Sequence, residues 1–327
     1  MGKIKVGVAG GAGYTGGELL RILINHPEVQ IDYVYSTSNA GNSIHKVHKD
    51  LLGETEMVFS NELKTVDVLF LCLPHGKSNV FLKDNHIAEG TKIIDLSTDF
   101  RHSIEAFEND NSGFVYGLPE FQINKIKSAT KIANPGCFAT CIQLALLPLA
   151  AGGLINNDIH VSAVTGSTGA GRVPSDTSHF SWRSGNASVY KQFTHQHLKE
   201  IKATLKHLQP AFQNEIHFIP WRGNFTRGIL ASVYTPYAGT LDDAKKLFSD
   251  YYKDAPFVHF VDDNLDLKQI VNTNKCFIQV EIHNGMIYVQ SAIDNLLKGA
   301  SGQAVQNMNI IFGLPEKTGL NLKTLAF

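Results

Sequence analysis

Four consecutive residues, Asn134-Pro135-Gly136-Cys137, run into an apolar stretch from Phe138 to Leu147, which predicts a helix starting beside the cysteine. The first turn of a helix has N–H groups without intrahelical partners and the positive end of the dipole, so a thiol placed there is drawn toward its thiolate. An ordinary thiol, with a pKa of about 8.5, is only a few per cent ionised at neutral pH, and a downward shift of one or two units makes it a competent nucleophile. Cys137 is therefore the candidate catalytic residue. Cys72, Cys141 and Cys276 have no CxxC spacing and read as packing thiols.

A second chemical signal lies at the start of the chain. Ile4 to Ala9 is a short apolar run, followed by Gly10-Gly11-Ala12-Gly13-Tyr14-Thr15-Gly16-Gly17 and then by helical spacing at Leu19, Leu20, Ile22 and Leu23. Strand, glycine turn and helix together form the cradle for a dinucleotide pyrophosphate at a helix N-terminus, here with GxxGxxG rather than GxGxxG spacing. A nicotinamide cofactor is the expected ligand. At the end of the next strand, where an NAD site usually carries Asp or Glu, the chain has Ser36-Thr37-Ser38-Asn39. Neutral hydroxyls accept a 2′-phosphate that a carboxylate would repel, so NADP is expected over NAD, although no arginine clamp is evident.

His195 and His197 are followed by Glu200, a carboxylate in reach of an imidazole, in a stretch from Thr194 to Leu208 with helical spacing. Either ring is a candidate general acid/base. The spacings His45/His48 and His195/His197 complete no HExxH pattern and adjoin no cysteine cluster, so no metal site is expected.

The elements that must position these groups fall into two textures. Strands at Val29 to Tyr35, Val66 to Leu73 and Lys92 to Leu96, with crossover sequence between them, predict a Rossmann-type parallel sheet. From Asp158 onward come longer alternating strands, Ile159 to Val164, Ile229 to Tyr234, Cys276 to Ile282 and Met286 to Ala292, the last two joined by the hairpin signal Asn284-Gly285. That half predicts an α+β domain with a mixed or antiparallel sheet, with a helix from Leu241 to Tyr252 capped by Thr240 and Asp243. The expected division is a nucleotide-binding domain at 1–140, completed by about 300–327, and a catalytic and oligomerisation domain at 141–299.

Composition excludes several classes. The 327 residues carry 29 Lys and Arg against 30 Asp and Glu, a balance that favours neither nucleic acid nor an anionic membrane surface. No apolar run reaches the roughly 18–20 residues of a bilayer span. Lys3 and Lys5 lead straight into a strand with no signal-peptide core, so the expected location is the cytoplasm.

Several segments together resemble the N-acetyl-gamma-glutamyl-phosphate reductase family. They are Gly10 to Gly16, Asp95-Leu96-Ser97-Thr98-Asp99-Phe100-Arg101, Tyr116-Gly117-Leu118-Pro119-Glu120 and Asn134 to Thr140, then Gly166-Ser167-Thr168-Gly169-Ala170-Gly171-Arg172, Phe193-Thr194-His195-Gln196-His197, Thr226-Arg227-Gly228-Ile229 and Asp294-Asn295-Leu296-Leu297-Lys298-Gly299-Ala300. They follow the family order over essentially the whole chain, and Cys141 departs from the small residue usual there.

The resemblance implies NADPH-dependent reduction of an N-acylated glutamyl phosphate to its semialdehyde, in arginine biosynthesis. It places Cys137 as nucleophile and His195 as acid/base, with Glu200 in support and His197 as the rival. It places Gly10, Gly13, Tyr14, Thr15, Gly16, Ser36, Thr37, Ser38 and Asn295 at the cofactor. A phosphorylated, carboxylated substrate suits guanidinium groups, and Arg101, Arg172 and Arg227 lie inside the motif segments, with Ser167 and its glycine-rich loop offering further donors for phosphate. It also implies a homo-oligomer, a dimer or tetramer. The competing readings are an aspartate-semialdehyde dehydrogenase-like enzyme and a non-catalytic NADP-binding regulator.

Overall fold

The computed structural model describes residues 2–101 and 113–325. The chain opens with β1 (Ile4–Ala9), α1 (Tyr14–Leu23), β2 (Val29–Tyr35), the short α2 (Ile44–Val47), β3 (Phe59–Ser60) and β4 (Val68–Leu71). It continues through α3 (Ser78–Asp84), β5 (Lys92–Asp95), β6 (Phe114–Tyr116), α4 (Pro119–Ser128) and β7 (Lys131–Ala133). Next come α5 (Cys137–Ala151), β8 (Ile159–Thr165), α6 (Phe180–Arg183), β9 (Ser188–Val189), α7 (His197–Leu208), β10 (Ile216–Arg222) and β11 (Ile229–Pro236). The remaining elements are α8 (Leu241–Tyr252), β12 (Val258–Phe260), β13 (Cys276–His283), β14 (Met286–Ile293) and α9 (Gly302–Ile311).

Two compact units result, Met1–Pro135 with Ala300–Asn321, and Gly136–Gly299 with the residues from Leu322. The division falls before residue 140 because α5 is a single continuous helix from Cys137, buried at every residue from Phe138 to Ala150 and packed on β11 and β14. The chain end differs from expectation as well. Asn272 Nδ2 donates to Lys323 O, and Thr324 Oγ1 donates to Lys268 O, which ties the last described residues to the second unit rather than the first.

In the first unit seven strands run parallel in the order β3-β2-β1-β4-β5-β7-β6. Strands with helices on both faces need apolar residues without alternation, and β4, Val-Leu-Phe-Leu, is buried throughout. Helix α9 is buried all round and carries Gln303, Gln306, Asn307 and Asn309 inward. Three of these amides donate hydrogen bonds: Gln306 Nε2 to Glu316 Oε2, Asn309 Nδ2 to Glu316 O and Thr318 O, and Asn307 Nδ2 to Gly117 O and Asn134 Oδ1.

The second unit has a seven-stranded mixed sheet in the order β12-β13-β14-β11-β8-β10-β9. The pairs β8/β10 and β12/β13 are parallel and the others antiparallel. Asn284 and Gly285, both with positive φ (48° and 75°), close the β13–β14 hairpin as their sequence predicts. Thr240 and Asp243 form the reciprocal capping box of α8.

The helix expected from Thr194 starts instead at His197. Lys191 and Phe193 adopt the left-handed region, with φ 49° and 58°, and Phe193 N donates to Phe218 O, which winds the preceding residues into a tight loop. Among the described residues, no helix is long and apolar enough to cross a membrane.

Candidate active site

Cys137 is the first residue of α5, half-buried, behind an N-cap glycine that offers no side-chain cap. The first intrahelical bond runs from Thr140 N to Gly136 O at 2.8 Å. A helix start without a side-chain cap leaves first-turn donors for an anion beside the thiol. Gly136 is a glycine for lack of space rather than for its φ. A Cβ there would lie 2.3 Å from His197 Nε2. The other thiols are buried. The Cys141 Sγ–H donates to Ser291 O at 3.3 Å, and burial pushes the Cys72 thiol up to about 12 and Cys141 well above its ordinary value.

The carboxylate expected behind His195 serves a different imidazole. Glu200 Oε2 accepts the Gly136 N–H at 3.0 Å, and Oε1 lies 3.9 Å from His197 Nε2, so Glu200 couples His197 to the backbone next to the nucleophile. The physical reason is helical geometry: His197 and Glu200 are three apart in the first turn of α7, whereas His195 lies before the helix.

His195 packs edge-on against Phe138, Phe218 and Tyr190, with ring centroids 5.4, 5.4 and 5.8 Å away. That burial, together with the nearby Lys191 charge, lowers its pKa from 6.5 to about 4. The ring is therefore neutral at neutral pH. Its Nδ1 accepts the His197 N–H at 3.3 Å, which leaves the ring proton on Nε2.

The predicted anion-binding groups are already engaged with protein partners to different degrees. Arg227 grips the buried Asp294 with two bonds, Nε to Oδ2 at 3.0 Å and Nη2 to Oδ1 at 3.1 Å. Arg172 is exposed beyond the Ser167–Ala170 turn. Arg101 belongs to the first unit, is buried, and donates from Nη2 to Leu96 O at 2.6 Å. The Ser167 loop was expected to offer backbone donors, yet Ser167 N donates to Phe225 O, Thr168 N to Thr226 O, Gly169 N to Gly166 O and Gly171 N to Thr168 O. Those N–H groups hold the loop itself. Asn295, expected at the cofactor, lies in the second unit with both ends of its amide engaged: Oδ1 accepts from Gly228 N at 2.7 Å and Nδ2 donates to Thr168 Oγ1 at 3.0 Å.

In the first unit the glycine turn fits a dinucleotide. Gly10 has φ 80°, and a Cβ there would meet Cys72 O at 2.5 Å, while a Cβ on Gly16 would meet Gly11 Cα at 2.7 Å. Gly13 caps α1 without a side chain, and among the described residues beyond its chain neighbours a Cβ there would meet Gly10 O alone, 3.7 Å away. Space beside Gly13 and the uncapped N–H groups of Tyr14, Thr15 and Gly16 form a cradle into which a pyrophosphate fits. Beyond β2, Ser36 is buried and Thr37 and Ser38 are exposed, with Asn39 Nδ2 donating to Ser36 Oγ and Ser38 Oγ. In the sequence His48 is weighed only as a metal ligand. It bonds Gly11 O at 2.7 Å from 37 residues away, and no local pattern signals it. Tyr190, against His195, and Arg222, over the Tyr190 ring, carry no local pattern either, and Gly299, which touches Cys137, reads only as part of a motif segment.

Residues 5–129 match the family model described as semialdehyde dehydrogenase, NAD binding domain, and residues 137–295 match semialdehyde dehydrogenase, dimerisation domain. The chain is 57% identical to the N-acetyl-gamma-glutamyl-phosphate reductase of Christiangramia forsetii, over 99% of this chain and 100% of that protein. It is 55% identical to the protein of the same name from Phocaeicola vulgatus, with the same coverage. Among solved structures, aspartate semialdehyde dehydrogenase II from Vibrio cholerae shares the fold at a TM-score of 0.71 and 16% identity, over 95% of this chain and 99% of that one. The NADP complex of the aspartate semialdehyde dehydrogenase from Candida albicans does so at 0.71 and 15%, over 95% and 98%.

Proposed function

The chain belongs to the N-acetyl-gamma-glutamyl-phosphate reductase family of semialdehyde dehydrogenases, and on that premise we propose that it reduces N-acetyl-L-glutamyl 5-phosphate to the 5-semialdehyde with NADPH, a step of arginine biosynthesis. The observation that carries this reading is Cys137 on the first turn of an uncapped helix, with His197 and Glu200 packed against the preceding glycine.

The Cys137 thiolate attacks the acyl carbon and phosphate departs, leaving a thioester on the sulfur. Gly10, Gly13, Tyr14, Thr15 and Gly16 hold the cofactor pyrophosphate, and Thr37 and Ser38, with Ser36 behind them, receive the 2′-phosphate. When bound, the reduced nicotinamide supplies the hydride that converts the thioester carbon to a tetrahedral oxyanion. The first-turn N–H groups of α5 stabilise that charge, and the Nε2–H of neutral His195 donates to it. Collapse of that hydrogen-bonded oxyanion expels the sulfur as the thiolate and releases the aldehyde, so the neutral imidazole keeps its proton.

Glu200 and His197 fix the backbone at Gly136. Arg172 and Ser167 meet the substrate's anionic groups, and Arg227, held by Asp294, braces the Ser167 loop together with Asn295. Assembly as a homo-oligomer accords with the dimerisation-domain match, and light scattering separates dimer from tetramer.

The test is NADPH oxidation by the purified chain with N-acetylglutamyl phosphate and with aspartyl phosphate. Turnover on the first, NADPH preferred over NADH, and its loss in Cys137→Ser with NADPH still bound are expected. Turnover confined to aspartyl phosphate, or an active Cys137→Ser variant, refutes the reading.

A further inference from the structure

Tyr190 and Arg222 belong to none of the motif segments, yet Arg222 lies over the Tyr190 ring, Tyr190 packs on His195, and His195 packs on Phe138, the residue after the nucleophile. Tyr190 follows β9, its N–H donates to Pro220 O at 3.2 Å, and its ring meets His195 edge-on. The Arg222 guanidinium, at the end of β10, lies over the same ring, with Cζ 4.6 Å from the centroid. That is cation–π distance. Burial pushes the Tyr190 hydroxyl well above its ordinary value, and the charge of Cys137 raises it further.

Arg222 has no carboxylate partner among the described residues, and its buried Nε has no hydrogen-bond acceptor. The adjacent Arg183 adds to the imbalance. Its guanidinium donates only to neutral acceptors, the carbonyls of Thr177, Asn186 and Arg222 and the Ser188 hydroxyl, and the Arg222 charge helps to lower its pKa. A pair of guanidiniums without a counter-charge raises the local potential, and a nearby anion is what lowers its cost.

Other titratable groups face Cys137. Cys141 stands one turn along α5 and is electrostatically coupled to it. Glu200 reaches Gly136 from α7, His197 lies between them, and His195 and Lys191 occupy the loop before α7. The turn Leu297–Ser301, whose Gly299 touches Cys137, carries the buried Lys298, and Asp294 just before it is held by Arg227. The Glu200 carboxylate opposes ionisation of the thiol, so a thiolate needs an offsetting cation, and Arg222 is a guanidinium without a carboxylate partner among the described residues.

We propose that Arg222, with the Tyr190 ring as its platform, is a positioning residue that keeps Cys137 ionised. The proposal rests on the reading of Cys137 as nucleophile, but its test does not require turnover. The rate of Cys137 alkylation by iodoacetamide is followed against pH by peptide mass spectrometry. A unit charge felt across one aromatic ring at a protein's effective dielectric is worth roughly one pH unit. Arg222→Met therefore raises the alkylation midpoint by about one unit and slows alkylation at neutral pH about tenfold, and Arg222→Lys restores most of the rate. Tyr190→Leu, which removes the platform, gives the same shift, and the double variant is no worse than either single one.

Melting curves establish that each variant is folded, and Arg222→Gln replaces Arg222→Met if the latter is not. A midpoint unchanged by neutralising Arg222, equal effects of Met and Lys, or additive single effects overturns the proposal. A shifted midpoint in a chain that fails to reduce acyl phosphates upholds it while refuting the assigned reaction.

Discussion

Gly299 offers the sharpest test of how the nucleophile is held. It lies in the π-helical turn Leu297–Ser301, and a Cβ added there would stand 2.8 Å from Cys137 Cβ and 3.2 Å from Cys137 Cα. An unstrained carbon–carbon contact is about 3.5–4.0 Å, so in Gly299→Ala the backbone of Cys137 or of the turn must retreat by roughly 1 Å. No flexible side-chain end is available to absorb the displacement, since the atoms met are the cysteine's own Cα and Cβ.

Overpacking of this kind costs about 1–3 kcal/mol, and a 1 Å misplacement of a reacting group costs on the order of 10²-fold in rate. Urea unfolding reads the first quantity. Single-turnover reduction of the acyl phosphate reads the second, with NADPH affinity expected to stay at the wild-type value. A Gly299→Ala enzyme with wild-type stability and turnover would show that Cys137 has slack around it, and the argument from close packing would fail.

Two further outcomes follow from the site. His195 takes up its proton only near pH 4 in the folded chain, against 6.5 as its ordinary value. Between those values the unfolded chain binds the proton more strongly, so stability is lost as pH falls through that window, by about 2 kcal/mol at pH 5, and levels off below pH 4. Thermal melts of His195→Gln should lose much of this slope, keeping the part due to buried His26, and an equally steep profile in the variant contradicts the burial argument. In the glycine turn, Gly13→Ala has room within the protein, so its melting temperature should match wild type while NADPH affinity falls at least about tenfold, because the methyl group occupies the phosphate's approach. Unchanged NADPH affinity removes the pyrophosphate from that turn.

The local signals in the sequence were dependable because the forces behind them act over a few residues. The apolar run after Cys137 became a buried helix, Asn284-Gly285 supplied the left-handed residues of a hairpin, and the turn at Gly10 required its positive φ. The change from continuous to alternating apolar pattern likewise announced a parallel sheet followed by a mixed one. These features, with Cys137 at a helix start, were determined by the sequence alone.

Which partner each polar side chain takes was decided only in three dimensions. Glu200 could face either histidine until the first turn of α7 set it beside His197 and Gly136, 64 residues away in sequence. Arg227 looked available for substrate until Asp294, 67 residues on, took both sides of its guanidinium. Tyr190 and Arg222 carry no sequence signal because β9 and β10 bring them together through sheet pairing. Periodicity records how a segment buries its own face, whereas hydrogen bonds and charge pairs across long sequence separations depend on a register and packing that no segment specifies alone.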